Sequence, residues 1–195
     1  MENIHPIFDQ ILGKKDKEKL LDQKGIVIWM VGLSGSGKST LAKSFEKYLH
    51  ENGKLTQILD GDNLRTGLNA DLGFTEEDRE ENIRRVAEVA RLFANCGVIT
   101  ICSFISPTES IRAMSRRIIG DDIYHEVFVE CPIGVCETRD VKGLYAKARK
   151  GEIKNFTGID APFENPAAPS LTINTELKNL EDCLQEMIDF FIPRI

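Results

Sequence analysis

Several features that would narrow the class of this chain at once are scarce or missing. There is no excess of positive charge: 31 acidic against 25 basic residues give a formal charge of −6 at pH 7. That balance excludes a broad nucleic-acid footprint and leaves any anionic ligand to be met by local groups. No apolar run is long. The longest, Gly97 to Ile105, falls far short of the ~20 residues a membrane-spanning helix needs, and no apolar stretch follows the charges near the N-terminus as a secretory signal requires. The expectation is a soluble, cytoplasmic protein without nucleic-acid or membrane partners. The five cysteines, Cys96, Cys102, Cys131, Cys136 and Cys183, are odd in number and include no C-x-x-C pair. They read as reduced core residues rather than a disulfide framework or metal site. Internal repeats and low-complexity tracts are also missing.

What remains fits one domain, since 195 residues with 42% hydrophobic content suffice for one continuous core. Residues 1–24 form a polar arm whose Lys-rich part, Lys14 to Lys24, suits a short surface helix. The remainder, 25–195, alternates. Ile26 to Val31 is an unbroken apolar run, as a parallel strand buried on both faces requires. Lys38 to His50 places Leu41, Ala42, Phe45, Tyr48 and Leu49 at helical spacing, and Asn52-Gly53 supplies a stop. A second strand, Leu55 to Leu59, precedes Asp60-Gly61-Asp62, and Thr75 caps a long helix to about Asn95, its first turn acidic as a helix N-terminus favours. Strands at Val98 to Phe104, Tyr124 to Val129 and Leu171 to Ile173 then alternate with helices at Thr108 to Ile119, Ile133 to Arg139 and Glu176 to Phe191. This βαβα order predicts an α/β fold, a parallel sheet with right-handed crossovers and helices on its faces. Residues 140–168 break the pattern. A basic helical piece, Lys142 to Lys150, leads into Gly151, Gly158, Pro162, Pro166 and Pro169, a composition suited to a mobile lid.

Gly32-Leu33-Ser34-Gly35-Ser36-Gly37-Lys38-Ser39 fits G-x-x-x-x-G-K-[ST] and lies between the first strand and its helix. Glycines there let successive backbone N–H groups turn inward around phosphates at a helix N-terminus. Lys38 is expected to reach the transferred phosphoryl group and Ser39 to place its hydroxyl on Mg²⁺. Thr40 is a structural neighbour counted with the nucleotide site. The expected donor is a nucleoside triphosphate, taken as Mg²⁺-ATP, on a P-loop NTPase-type sheet.

A phosphate loop alone does not separate a small-molecule kinase from a GTPase or a motor. The third strand ends in Ile105-Ser106-Pro107, with no Walker B aspartate, and neither an N-K-x-D motif nor a D-x-x-G switch suitably placed after it is found. The carboxylates come instead from Asp60-Gly61-Asp62-Asn63-Leu64-Arg65, because carboxyl ends of neighbouring strands share a crevice in a doubly wound sheet. Asp60 is expected to orient the hydrated metal and Asp62 to accept a hydrogen bond from the attacking hydroxyl; either could also simply cap the next helical turn. On the long helix Arg79 and Asn82 lie three apart and face one way, suited to an acceptor oxyanion. Phe74 ahead of that helix and Phe156 in the lid could enclose a purine ring, although Phe74 could equally be a hydrophobic staple and Arg79 a solvated charge.

These residues resemble the adenylylsulfate (APS) kinases. The resemblance runs through Gln23-Lys24-Gly25, the phosphate loop to Thr40, Asp60 to Arg65, Leu72-Gly73-Phe74-Thr75 with Arg79, Asn82, Ile83 and Arg84, and Phe104-Ile105-Ser106-Pro107. It continues through Cys136 to Tyr145 and Lys154 to Asp160, covering about residues 22 to 192. It implies transfer of the ATP γ-phosphate to the 3′-hydroxyl of APS to give 3′-phosphoadenylyl sulfate (PAPS), with Mg²⁺, in a homodimer supplied by a separate ATP sulfurylase, for which 195 residues leave no room. By the same resemblance Phe74 and Phe156 stack the adenine, while Arg65, Arg79, Asn82, Lys154 and the Ile105-Ser106 backbone hold the phosphosulfate and ribose. Arg139 and Lys142 stand in the lid beside ATP, Asp62 near the acceptor hydroxyl. Ser106 matches a position sometimes described as a phosphoserine intermediate; direct in-line transfer is the preferred reading because no base is evident beside it. The chain departs from the family pattern at Thr108-Glu109-Ser110-Ile111-Arg112, at Ala161-Pro162-Phe163, and in an arm without a Trp-His segment. A kinase for a nucleoside or sugar alcohol, and a non-catalytic nucleotide-binding module, are the competing readings.

Overall fold

The computed structural model describes residues 3–7 and 10–195; Met1, Glu2, Phe8 and Asp9 of the expected arm lie outside the described residues. In chain order the elements are α1 (Lys14–Leu21), β1 (Val27–Val31), α2 (Lys38–Glu51), β2 (Thr56–Asp60), α3 (Gly61–Arg65), α4 (Glu76–Asn95), β3 (Ile99–Ser103), α5 (Glu109–Ile119), β4 (Tyr124–Glu130), α6 (Ile133–Arg139), α7 (Leu144–Arg149), β5 (Leu171–Asn174) and α8 (Leu180–Phe191), followed by a 3₁₀ turn at Ile192–Arg194. All strand pairings are parallel, in the order β2-β3-β1-β4-β5. The chain leaves central β1 first toward β2 and later toward β4, so the carboxyl ends of β3, β1 and β4 flank a switch-point crevice.

Successive side chains of β1 point to opposite faces. Ile28 and Met30 enter a cluster with Leu41, Phe45 and Leu49 of α2 and Met187 and Phe191 of α8. Val27, Trp29 and Val31 enter a second with Val86, Ala87, Ala90 and Ala94 of α4 and Ile111 and Ile119 of α5. The alanines let α4 approach the sheet closely, and burying each large apolar side chain contributes about 1.5–3 kcal/mol. A third cluster lies over the phosphate loop, where Leu33, Cys131, Cys136, Tyr145, Ala148 and Phe156 pack together.

Most boundaries lie within two residues of the sequence expectation, and two departures have clear causes. The last helix begins at Leu180 rather than Glu176, because Asn179 caps it through Asp182 N while Asn174 Oδ1 accepts from Glu176 N and Leu177 N and holds them in a turn. The basic piece begins at Leu144, since the Asp140 carboxylate accepts from Tyr145 N and Ala146 N. The reading of all five cysteines as core residues is corrected at one position: Cys102, Cys131, Cys136 and Cys183 are buried, but Cys96 is exposed at the end of α4, just past its apolar face. No helix among the described residues is long and apolar enough to cross a membrane.

Where the arm meets the sheet, Gln23 is buried and acts as a strap. Its Nε2 donates to Leu55 O and Gly97 O at 2.9 and 2.7 Å, and its Oε1 accepts from Leu55 N at 2.8 Å. Gly25 follows under α4, where a Cβ would lie 2.0 Å from Ala94 O. Backbone cannot yield there as a flexible side chain would. Gly25→Ala is expected to destabilise the protein by about 3 kcal/mol and to lower its melting temperature by on the order of 10 °C, measured by thermal denaturation followed by circular dichroism; a change under about 2 °C would contradict the contact.

Candidate active site

The phosphate loop folds between β1 and α2 as its residue types dictate. Gly37, the residue before α2, has φ +100°, the left-handed region that glycine enters without penalty. Lys38 is buried and its ammonium donates to Gly32 O at 2.8 Å, Leu33 O at 2.7 Å and Ser36 Oγ at 3.4 Å. Burial, the dominant cause, pushes its pKa down to about 8. The loop is held from outside as well. Tyr145 Oη donates to Ser34 O at 2.9 Å, and Thr175 Oγ1 to Ser36 O at 2.8 Å. Arg139 reaches the same place, with Nη1 3.4 Å from Gly35 O and Nη2 donating to Thr175 O at 2.6 Å. Gly35 backs onto Cys136, whose carbonyl would lie 3.0 Å from an added Cβ. Ser39 and Thr40 are exposed at the start of α2.

Asp60 does two things at once. Its Oδ1 accepts from Asp62 N at 3.1 Å and so caps α3, while its Oδ2 accepts from Ser39 Oγ at 2.8 Å. Ser103, at the end of β3, places its hydroxyl 3.2 Å from Ser39 Oγ. One carboxylate and two hydroxyls thus gather beside the phosphate loop, a hard-oxygen set suited to a divalent cation that retains waters and phosphate ligands. Among the described residues no three His, Cys, Asp or Glu side chains form a cage of their own. Asp62 is exposed and forms an ion pair with Lys142 from the segment after α6. The candidate acid and the candidate lid lysine are therefore brought together.

Between α3 and α4 the loop is built by its own side chains. Arg65 Nη1 donates to Leu72 O at 3.0 Å and Gly73 O at 2.8 Å, and its guanidinium stands 4.4 Å from the Phe74 ring centroid. Phe74 is 67% exposed, so it is not the buried staple that its position allowed. Arg79 crosses from α4 to the lid segment, donating from Nη2 to Asn155 O at 2.7 Å and from Nη1 to Thr157 Oγ1 at 3.2 Å. Asn82 is buried and accepts from Asn69 Nδ2 at 3.0 Å. In the lid segment Asp160 accepts from Asn155 N and Phe156 N at 2.7 and 2.5 Å, closing a turn in which Asn155 has φ +56°. Phe156 packs edge-on against Tyr145, centroids 4.9 Å apart, and is buried in the third cluster, whereas Phe74 is open to solvent across the crevice mouth. Lys154 is exposed.

After β3, Ile105 is half-buried and Ser106 is buried with φ +45°. Trp29 Nε1 donates to Ser106 Oγ at 3.0 Å, so this hydroxyl is enclosed and engaged rather than poised for transfer. Beside the crevice a cleft of about 800 Å³, lined by Leu33, Glu130, Ile133, Phe163 and Asn174 among others, runs under the segment after Gly158. Four residues that join this arrangement are not prominent in the sequence. Ser103 is the last residue of β3 and Thr175 the first after β5, and a polar residue at the carboxyl end of a strand is a usable signal in a parallel sheet. Asn69 sits in an irregular loop, and Trp29 reads only as core.

Comparison with known proteins agrees with this geometry. A family model described as adenylylsulphate kinase matches residues 24–174. The adenylyl-sulfate kinase of Bacteroides fragilis is 57% identical over 193 residues, covering 99% of this chain and 96% of that protein. The adenylyl-sulfate kinase of Clostridium acetobutylicum is 57% identical over 179 residues, covering 92% and 89%. Among solved structures, the Mycobacterium tuberculosis APS kinase CysC in complex with AMPPNP and APS superposes with a TM-score of 0.83 at 48% identity, over 86% of this chain and 98% of that one. With the phosphate loop, its facing carboxylates and matches that run nearly end to end, the chain belongs to the adenylylsulfate kinase family.

Proposed function

We infer that this protein is an ATP-dependent adenylylsulfate kinase, transferring the γ-phosphate of ATP to the 3′-hydroxyl of APS to form PAPS in sulfate assimilation. The observation that carries this reading is the convergence, in a member of this family, of Ser39, Asp60 and Asp62 at the mouth of the phosphate loop. Lys38 exchanges the carbonyls of Gly32 and Leu33 for oxygens of the transferred phosphoryl group, and the loop amides hold the rest of the triphosphate. Ser39, Asp60 and Ser103 would hold Mg²⁺, which when bound neutralises charge on the phosphates. Asp62 lets go of Lys142 and accepts the hydrogen bond of the acceptor hydroxyl. As the hydroxyl oxygen bonds to the γ-phosphorus and the β–γ bridge breaks to release ADP, the proton passes to Asp62. Lys142, freed from that pair, and Arg139 are then available to the nucleotide phosphates.

On the acceptor side Phe74 and Phe156 stack the adenine, and Arg65, Arg79, Asn82, Lys154 and the Ile105-Ser106 backbone hold the phosphosulfate and ribose. Residues 140–168 act as the lid, with Arg79 bonded to Asn155 and Thr157 as its contact with α4. Transfer is direct, since Ser106 is 1% exposed and its hydroxyl is held by Trp29. The same reading places the enzyme in the cytoplasm as a homodimer, fed with APS by a separate ATP sulfurylase.

The test is a coupled ADP-release assay with APS as acceptor, in which no APS-dependent turnover would overturn the assignment. Asp62→Ala is expected to lower kcat on the order of 10²-fold or more; turnover equal to the parent would remove Asp62 from its role. Phe74→Ala is expected to raise the KM for APS about tenfold with kcat little changed, the scale of one lost base–aromatic stack, and an unchanged KM would show that the ring is not in the acceptor site.

Lys38 also sets a pH dependence. Its pKa is about 8 in the free protein, and a triphosphate beside it favours the charged form and raises that value. Binding therefore takes up a proton above pH ~8, and nucleotide affinity falls by up to about tenfold per pH unit there while staying level between about pH 7 and 8. Calorimetry at pH ~8.5 in buffers of different ionisation enthalpy checks the sign; proton release, or a Kd flat to pH ~9.5, would contradict it.

A further inference from the structure

One buried cation has no part in the mechanism above. Arg112 of α5 is 1% exposed. Its Nη1 donates to Ser106 O at 3.0 Å and its Nη2 to Glu109 Oε2 at 2.9 Å. Its Nε is buried without a hydrogen-bond partner among the described residues; the nearest acid, Glu126 on β4, has Oε2 3.7 Å away and already accepts from Tyr124 Oη at 3.2 Å. A buried, incompletely bonded guanidinium is costly, because an orphaned donor loses its water without a replacement, and replacing a buried ionic group by apolar residues is often neutral or stabilising. Stability alone is a poor reason for arginine at this position.

What the guanidinium holds is more informative. Ser106 is a non-glycine residue with φ +45°, a strained conformation that persists only where the surroundings impose it. The surroundings here are two side chains. Trp29 Nε1 donates to Ser106 Oγ, and Arg112 Nη1 to Ser106 O. With the hydroxyl and carbonyl both tied, the backbone N–H groups of Ile105 and Ser106 are left without a hydrogen-bond acceptor among the described residues. The next residue, Pro107, has no N–H, and its carbonyl accepts from Glu164 N at 2.8 Å. Glu164 in turn caps the start of α5, its Oε2 accepting from Glu109 N at 2.7 Å. The loop is thus clamped on its carbonyl side, while its two amides, on a half-buried Ile105 and a buried Ser106, make no hydrogen bond among the described residues.

We propose that Arg112 is a positioning residue for the acceptor site: by gripping the Ser106 carbonyl it fixes the left-handed turn that keeps the Ile105 and Ser106 amides available to oxygens of the acceptor. It touches neither substrate and acts through the peptide. The proposal rests on the reading of the Ile105-Ser106 backbone as an acceptor contact, and it adds Arg112, which is reached from α5 rather than from the crevice. Glu109 supports the grip by taking Nη2, which leaves Nη1 for the carbonyl.

The test combines steady-state kinetics with fluorescence of Trp29, the only tryptophan in the chain, whose indole N–H is bonded to the same serine. Three variants are used. Arg112→Gln removes the grip; Arg112→Gln/Glu126→Gln removes it without leaving a buried unpaired carboxylate; Arg112→Lys keeps the charge but not the planar fork. The KM for APS is expected to rise about tenfold or more in each, the scale of a displaced positioning group. The KM for ATP is expected to stay within about twofold, and the Trp29 emission to shift in the absence of any substrate. An APS KM within about twofold of the parent in a folded variant overturns the proposal. So do equal rises in both KM values, which would mark a general structural defect, and so does failure of all three variants to fold, which would make Arg112 a structural cation only. If the unaltered enzyme shows no turnover of APS, the reading of the acceptor itself fails; an APS KM indifferent to Arg112 in an enzyme that does turn over APS defeats only this proposal.

Discussion

Everything at the crevice is arranged around one buried ammonium. Lys38 cannot be solvated where it lies, so the loop gives it carbonyl oxygens instead, and those oxygens come from the residues whose backbone must wrap a phosphate. The loop is therefore closed on its own cation before any ligand arrives. Its shape is kept from outside by Tyr145 and Thr175, each of which donates to a loop carbonyl. Because these two side chains come from α7 and from the end of β5, the loop's geometry is set by elements more than a hundred residues later in the chain.

The same economy recurs on the acceptor side, where charged groups are occupied within the protein. Asp62 holds Lys142, Arg65 holds two carbonyls of its own loop, and Arg79 holds the segment that includes Phe156. Each of these contacts engages a charged group that lines the crevice. Exchange is inexpensive for the exposed Asp62–Lys142 pair, because an ion pair in water is worth only about 0–1 kcal/mol. The contacts of Arg79 reach a folded turn organised by Asp160, so they bind the 155–160 turn to α4 more firmly.

How much of this could be read from the sequence depended on whether the signal was periodic, local or long-range. The strands and helices were legible because burial on both sheet faces leaves continuous apolar runs, as in Ile26 to Val31, and because Thr75 and Thr108 announce their helices by side-chain caps. The phosphate loop was legible because its chemistry is contiguous. Asp60 was legible as a candidate but not its double use, since the hydrogen bond to Ser39 spans 21 positions and appears only when β2 and β1 are placed on either side of β3. α8 starts four residues after the apolar pattern predicts, because Asn174 and Asn179 bind nearby backbone N–H groups through their side chains and hold that stretch out of the helix. The burial of Arg112 could not be read from its helix alone, because it depends on Ser106 after β3 and Glu126 within β4, residues 6 and 14 positions away, meeting it in the fold. Cys96 followed an apolar stretch and was taken for core, although the helix had already turned that position outward.

Gln23 ties the entering chain to Leu55 and Gly97, residues that lie where β2 and β3 begin. In a sheet whose strands all run one way, beginnings and ends occupy opposite poles, separated by a five-residue strand, on the order of 17 Å. The chain therefore enters the sheet at the pole opposite the phosphate loop, so the strap fixes the far ends of the same strands whose near ends build the crevice.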